Sequence, residues 1–301
     1  MSHPARSTSL MRVVWIGLAA IALALPAAQL SGQRRGALRG GAQEKIDIRT
    51  YKFKEAGNKK QEYALFVPSG YKKSQKTPLI VALHGLGGNP RQILATRGFA
   101  SLAEQRGYIL VAPYGYNERG WYGAPMPGSG LAALLGRGSV EQTGRRGALA
   151  ELLRGSPDDP PNLGELSEKD VLNVLALVRK DYNIDPDRTF LMGHSMGGGG
   201  TWHLGMKYPD QWAALGPIAP AITTGLAGLD KIRRMPVIVV QGDSDNLVPV
   251  AGTRRWVERM KDLEMTYQYI EVAGGDHISV VAPNLPKIFD FFDKHPRQKT
   301  K

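Results

Sequence analysis

Cysteine is absent from all 301 residues. Disulfides, thiolate metal ligands and a lipid-modified cysteine are therefore excluded. A charge surplus on the folded body is missing too. The formal net charge is +12, which would suggest an anionic partner if it were spread over one face. Residues 1–60 hold 11 Lys/Arg against 3 Asp/Glu, and residues 286–301 hold 5 against 2, leaving 23 against 22 between them. With the excess confined to the ends, nucleic-acid binding is not expected. No internal repeat is visible.

The chain does carry an export-like N-terminus. Arg6 and Arg12 precede an apolar run at 13–25, and the small residues Pro26, Ala27 and Ala28 follow, in the order of a secretory signal. Residues 1–30 are expected to be a signal peptide, with the periplasm or cell exterior as destination. Membrane attachment follows only if that segment stays uncleaved, and Pro26 and Gln29 interrupt a run that would need about 20 apolar residues to span a bilayer. Residues 31–43, rich in Gly and Arg, read as a flexible linker. With 42% hydrophobic and 22% charged residues, the remainder fits one soluble catalytic-sized domain at 44–296, with a basic tail at 297–301.

Within that domain, short apolar runs alternate with longer amphipathic stretches, a pattern that predicts a mostly parallel sheet flanked by helices. The expected strands are 46–53, 62–68, 78–84, 108–113, 189–192, 213–218, 236–241 and 267–272. Helices are expected at 91–105, 168–181, 196–207, 252–263 and 286–294, with Ser167 capping the second and Asp170 reaching back to its open amides. Residues 114–166 break the alternation. They are rich in Gly and Pro without a sustained period, and a loop of that length inside a compact domain favours a lid. Short helices at 131–135 and 148–153 fit within it.

The chemistry centres on Gly193-His194-Ser195-Met196-Gly197. Gly-x-Ser-x-Gly is a weak signal in a chain with 36 glycines, but here an apolar strand runs into it and a helix follows, as a nucleophile elbow requires. A serine hydroxyl needs a base, and that base a carboxylate. Of the histidines beyond the elbow, His277 lies in the loop Gly274-Gly275-Asp276-His277, whereas His295 sits in the charged tail and His203 on the helix after the elbow. The acid belongs at the end of strand 236–241. Asp243 and Asp245 both qualify there, and spacing does not choose between them. Asp276 is next to the histidine and poorly placed to reach its ring. The oxyanion calls for two backbone amides, expected from Met196 and from Leu86 in His84-Gly85-Leu86-Gly87-Gly88. His84 is expected to brace that loop. Trp121 and Tyr122, just past strand 108–113, either anchor the insertion or line the substrate pocket.

With these motifs in this order, the chain resembles the α/β-hydrolase superfamily over about 62–294. Val111-Ala112-Pro113, the stretch from Tyr182 to Arg188 and Tyr208-Pro209-Asp210 are similar to secreted esterases. These include groups related to polyhydroxybutyrate depolymerases, feruloyl and acetylxylan esterases, and prolyl oligopeptidase catalytic domains. The resemblance implies an α/β-hydrolase fold with an eight-stranded sheet and a lid-like insertion at 114–166. It also implies a serine esterase acting on small or polymeric esters, with no cofactor or metal. It selects Asp245, through Asp-x-x-Val-Pro, as the acid. The missing cysteines and polymer-binding domain depart from secreted depolymerases, and the missing propeller departs from prolyl oligopeptidases. The alternatives are a serine peptidase of prolyl oligopeptidase type and, from another class, a silent hydrolase fold used as a binding protein, which would need none of the Ser, His, Asp and oxyanion set.

Overall fold

The computed structural model describes residues 45–126 and 151–297. The signal segment, the linker, the expected helix at 131–135 and the last residues of the tail lie outside the described residues. Eight strands form one sheet: β1 (Asp47–Phe53), β2 (Lys59–Phe66), β3 (Thr77–Leu83), β4 (Ile109–Pro113), β5 (Ile184–His194), β6 (Leu215–Ile218), β7 (Val237–Gly242) and β8 (Tyr267–Val272). Their order is β1-β2-β4-β3-β5-β6-β7-β8. β2 pairs antiparallel with both β1 and β4, and all other pairs are parallel.

Among the described residues the helices include α1 (Pro90–Leu94), α2 (Phe99–Arg106), α3 (Leu163–Asp181), α4 (Met196–Lys207), α5 (Val250–Asp262) and α6 (Val281–Lys294); residues 151–154, at the end of the expected helix 148–153, are helical too. Alternation along the strands sorts the core into two layers. Leu79, Val81, Leu83, Leu191, Val237 and Val239 face α3, α4 and α5. Ile80, Ala82, Phe190, Met192, Ile238 and Val240 face α1, α2 and α6. Every residue of β3 is buried, because helices cover both faces. On the second face Phe190 stacks on Phe292 with ring centroids 4.5 Å apart. Each such side chain contributes about 1.5–3 kcal/mol by leaving water.

All eight strands overlap the expected runs; β2 starts three residues early at Lys59 and α6 five residues early at Val281, with Pro286 inside it, and three further differences have tertiary reasons. β5 starts at Ile184, five residues early, because Ile184 pairs with Thr77 across a register shift. The helix expected at 91–105 is two: Asn89 caps α1, accepting from the Gln92 amide at 3.0 Å, and Gly98 at φ +83° begins α2 in a new direction. α3 starts at Leu163, so Ser167 and Asp170 lie inside it and form no capping box. Ser167 Oγ instead accepts the Tyr122 amide at 3.0 Å. Asp170 accepts from the Tyr51 hydroxyl and the Gly115 amide, each at 2.6 Å.

Those contacts also correct the lid expectation for the first part of the insertion. Gly115, Gly120, Trp121, Tyr122 and Ala124 are buried, with Trp121 2% and Tyr122 0% exposed, while Met126 is exposed. Arg119 Nε and Nη2 donate to the two carboxylate oxygens of Asp159 at 2.7 and 3.1 Å, tying this stretch to the one entering α3. Glu168 joins α3 to α4. Burial would raise its pKa, but donation from His203, Lys207 and Tyr208 prevails and holds it at about 2. His203 is thus occupied away from the elbow.

Candidate active site

Ser195 occupies the turn between β5 and α4 at φ 59°, ψ −117°, a region that strains any side chain with a Cβ. Three backbone hydrogen bonds hold it there. Its amide donates to the Ile218 carbonyl at 2.9 Å, and its carbonyl accepts from Gly199 at 3.0 Å and Ala221 at 2.9 Å. The turn closes only with glycine on both sides. A Cβ on Gly193 would strike the Gly197 carbonyl, and one on Gly197 would strike the carbonyl of Leu83.

The loop after β8 delivers His277, whose Nδ1 donates to Asp245 Oδ2 at 2.7 Å. His277 Nε2 is thereby left as the acceptor for a hydroxyl proton. Asp245, on the loop after β7, is 5% exposed. Its Oδ1 accepts the amides of Leu247 and Val248 at 2.9 and 2.8 Å, and its Oδ2 also accepts Gln241 Nε2 at 3.0 Å. Burial alone would raise its pKa, but hydrogen bonds from His277, Val248 and Leu247 outweigh burial and hold the carboxyl below its ordinary value. The other candidates are occupied elsewhere. Asp243 accepts the Gly274 amide at 2.8 Å, and Asp276 accepts the amides of Ile278 and Ser279.

The loop after β3 lies against the nucleophile, since a Cβ on Gly85 would stand 3.3 Å from that of Ser195. Gly87 donates to the Glu118 carbonyl and Gly88 to that of Gly85, both at 2.9 Å. His84 ring nitrogens lie 2.8 and 2.9 Å from the carbonyl oxygens of Gly85 and Tyr114, a bracing position. Met196 opens α4, where the helix dipole adds to its amide's pull on negative charge. Neither its amide nor that of Leu86 donates to a backbone carbonyl among the described residues.

Ser195, His277, Leu86 and the oxyanion loop border one cleft of about 480 Å³. Trp121 and Tyr122 do not border it. The pocket-lining expectation is corrected by their packing: Tyr122 donates its hydroxyl to the His84 carbonyl at 3.2 Å, and its ring fills the space over Gly200. A second cavity, about 960 Å³, opens where β6, β7 and β8 begin, beside Ala213, Pro236 and Thr266, at the edge of the sheet away from this chemistry.

Two residues escaped the sequence reading. Gln241, fully buried, anchors the acid as described and accepts from Thr253 Oγ1 at 3.0 Å. His194 Nε2 donates to the His277 carbonyl at 2.7 Å, holding the backbone of the base. A polar residue ending the apolar run of β7 was the available signal for Gln241. Nothing local marked His194.

The sheet order, the strained serine between β5 and α4, and the acid and histidine after β7 and β8 define an α/β-hydrolase fold. Residues 172–289 match a family model described as PET hydrolase-like. Over 104 residues the chain is 34% identical to Cutinase 2 of Thermobifida cellulosilytica, covering 34% of this chain and 37% of that protein. It is 23% identical over 199 residues to a bifunctional acetylxylan esterase/xylanase of Neocallimastix patriciarum, covering 66% of this chain and 23% of that one. The chain thus spans well under half the length of these curated relatives. Among solved structures it is similar to a thermostable esterase, with a TM-score of 0.59 at 24% identity over 84% of this chain and 63% of the other. It is also similar to a ferulic acid esterase of Anaeromyces mucronatus solved with ferulic acid, with a TM-score of 0.58 at 19% identity over 83% and 90%.

Proposed function

We propose that this protein is an exported serine hydrolase that cleaves carboxylic esters through an acyl-enzyme. The observation that carries this reading is that His277, which borders the cleft holding the strained Ser195, is hydrogen-bonded to the buried Asp245. In the proposed cycle His277 Nε2 takes the Ser195 proton as Oγ attacks the ester carbonyl carbon. The amides of Leu86 and Met196 receive the oxyanion, each worth about 3 kcal/mol in such a site. The intermediate collapses, the C–O bond to the alcohol breaks, and His277 returns the proton to the departing alkoxide. Water, deprotonated by the same nitrogen, then attacks the acyl carbon and frees the acid and Ser195. Asp245 keeps the imidazole in the required tautomer and stabilises the imidazolium.

The cutinase and esterase relatives support ester rather than peptide substrates. Export rests on the basic and apolar order of residues 1–30, and among the described residues no helix is long and apolar enough to cross a membrane. The test is labelling with a fluorophosphonate followed by peptide mass analysis. Modification of Ser195, lost in Ser195→Ala, is expected together with turnover of a soluble ester. A folded protein that stays unlabelled and inert would be a binding module on a hydrolase fold instead.

A further inference from the structure

We propose that the cavity where β6, β7 and β8 begin binds a small organic molecule bearing two or more phosphate groups, at a site separate from the ester chemistry. At about 960 Å³ it is as large as ligand pockets commonly are. Five cations line it: Lys231, Arg233, Arg234, Lys294 and Arg297. Of the two carboxylates that do so, Asp230 takes Arg259 at 2.8 Å and Glu264 takes Arg233 at 3.0 Å. Lys231, Arg234, Lys294 and Arg297 are thus left without a carboxylate partner among the described residues. Outside the described residues the only carboxylate side chains are Glu44 and Glu141, while Lys299 and Lys301 follow Arg297 directly.

Arg297 is half-buried and fixed in place. Its amide donates to the Asp187 carbonyl at 2.7 Å, and its Nη2 donates to the Trp212 carbonyl at 2.9 Å. On the residue before Trp212, Arg179 Nη1 donates to Gln211 Oε1 at 2.6 Å. Two guanidiniums therefore converge on one dipeptide, each held by neutral oxygens, and neither forms an ion pair with Asp187 or Asp210 nearby in the chain. Burial lowers the pKa of Arg179, and the charge of Arg297 lowers it further. An anion seated between such groups removes their repulsion. Each guanidinium has five N–H donors, so most of them stay free for a ligand.

Phosphate fits this set better than carboxylate does. Its oxygens match the guanidinium fork, and each group carries roughly −1.5 to −2 charges, so two of them balance the unpaired lining cations. Ile232, Met235 and Pro236 add an apolar wall for the organic part. β7 begins beside the cavity and ends at Gly242, just before Asp245. Six residues of strand set the two sites about 20 Å apart, so a ligand here leaves the reacting atoms untouched.

The experiment titrates the full chain calorimetrically with ADP, pyrophosphate, adenosine and citrate in about 0.15 M salt, where diffuse attraction is screened. ADP and pyrophosphate are expected to saturate one site at least about tenfold more tightly than citrate, and adenosine to give no binding. Arg297→Gln and Arg234→Gln should each weaken ADP about tenfold. Arg91→Gln, the same charge change on the exposed face of α1 beside the elbow cleft, should leave it unchanged. Melting temperatures check folding. Should Arg297→Gln unfold, Arg234→Gln carries the test, because that side chain is exposed and forms no hydrogen bond among the described residues. Ser195→Ala should bind ADP as wild type does, so the result is independent of the esterase reading. The assignment is overturned if neither phosphate compound binds, if citrate binds as tightly, or if Arg91→Gln weakens binding as much as Arg297→Gln. Competition between pyrophosphate and a soluble neutral ester would move the anion to the elbow cleft and overturn it too.

Discussion

Gln241 donates its side-chain amide to the same oxygen of Asp245 that receives His277 Nδ1, at 3.0 Å against 2.7 Å. With the amides of Leu247 and Val248 on the other oxygen, all four acceptor directions of the carboxylate are used. Gln241 is in turn oriented by the Thr253 hydroxyl and by donating to the Val248 carbonyl. In the proposed cycle it would act as a positioning residue for the acid, and it would also draw off part of the negative charge that the imidazolium feels.

Replacing Gln241 with Met removes the donor at similar length. The carboxylate becomes less neutralised, so the imidazolium formed during catalysis is favoured more. The acidic limb of the kcat/KM profile should move up by about half a pH unit to one, while kcat falls about tenfold. Thr253 loses its acceptor, so melting temperature should drop as well. A profile that superimposes on wild type, with only stability changed, would reduce Gln241 to packing.

Asp245 and Asp243 separate in the structure and should separate in kinetics. Asp245→Asn leaves the histidine without its anionic partner, and kcat should fall about 10⁴-fold. Asp243→Asn touches only the Gly274 amide and Ser244, so kcat should change less than about threefold, with about 1 kcal/mol or less lost in stability. Measuring both variants on one soluble ester checks the assignment, and the reverse ranking would transfer the acid to Asp243.

Trp121 and Tyr122 should behave as scaffold. Tyr122→Phe loses one hydrogen bond to the oxyanion loop, about 1 kcal/mol. Trp121→Ala empties core volume and should cost about 3–5 kcal/mol. In either variant, ratios of kcat/KM across a set of soluble ethyl esters should match wild type. A changed ratio at unchanged melting temperature would return these rings to the substrate.

Asp170 predicts a pH dependence of stability distinct from catalysis. Burial raises its carboxyl to about 6 despite donation from Tyr51, Gly115 and Tyr116. A folded-state pKa above the unfolded value of about 4 means that its contribution is full below pH 4 and is lost as pH rises through 6. The loss amounts to about 3 kcal/mol for a two-unit shift. Asp170→Asn, an amide that mimics the protonated acid, should flatten the urea-unfolding free energy between pH 4 and 7. An unchanged slope in that variant would place the titration elsewhere.

What the sequence determined by itself is what short-range pattern encodes. Short apolar runs separated by longer amphipathic stretches mark strands covered by helices, so all eight strands were legible even where, as in β3, both faces are buried. The glycines around Ser195 announced the elbow because only a residue without Cβ fits between β5, α4 and Leu83. His277 followed from chain order among few histidines, and Asp245 was reached by resemblance, since spacing left Asp243 equal to it. The tertiary structure decided what depends on atoms distant in the chain. Ser167 and Asp170 looked like a helix cap, but the amides of Tyr122 and Gly115 come from some 45 and 55 residues away to take their oxygens. Trp121 and Tyr122 read equally well as wall or anchor, because both roles bury a ring and only the packing against Gly200 and His84 separates them. Hydrogen bonds from Gln241 to the acid and from His194 to the base were invisible for the same reason: a donor's identity is written in the sequence, but its direction is set by the fold.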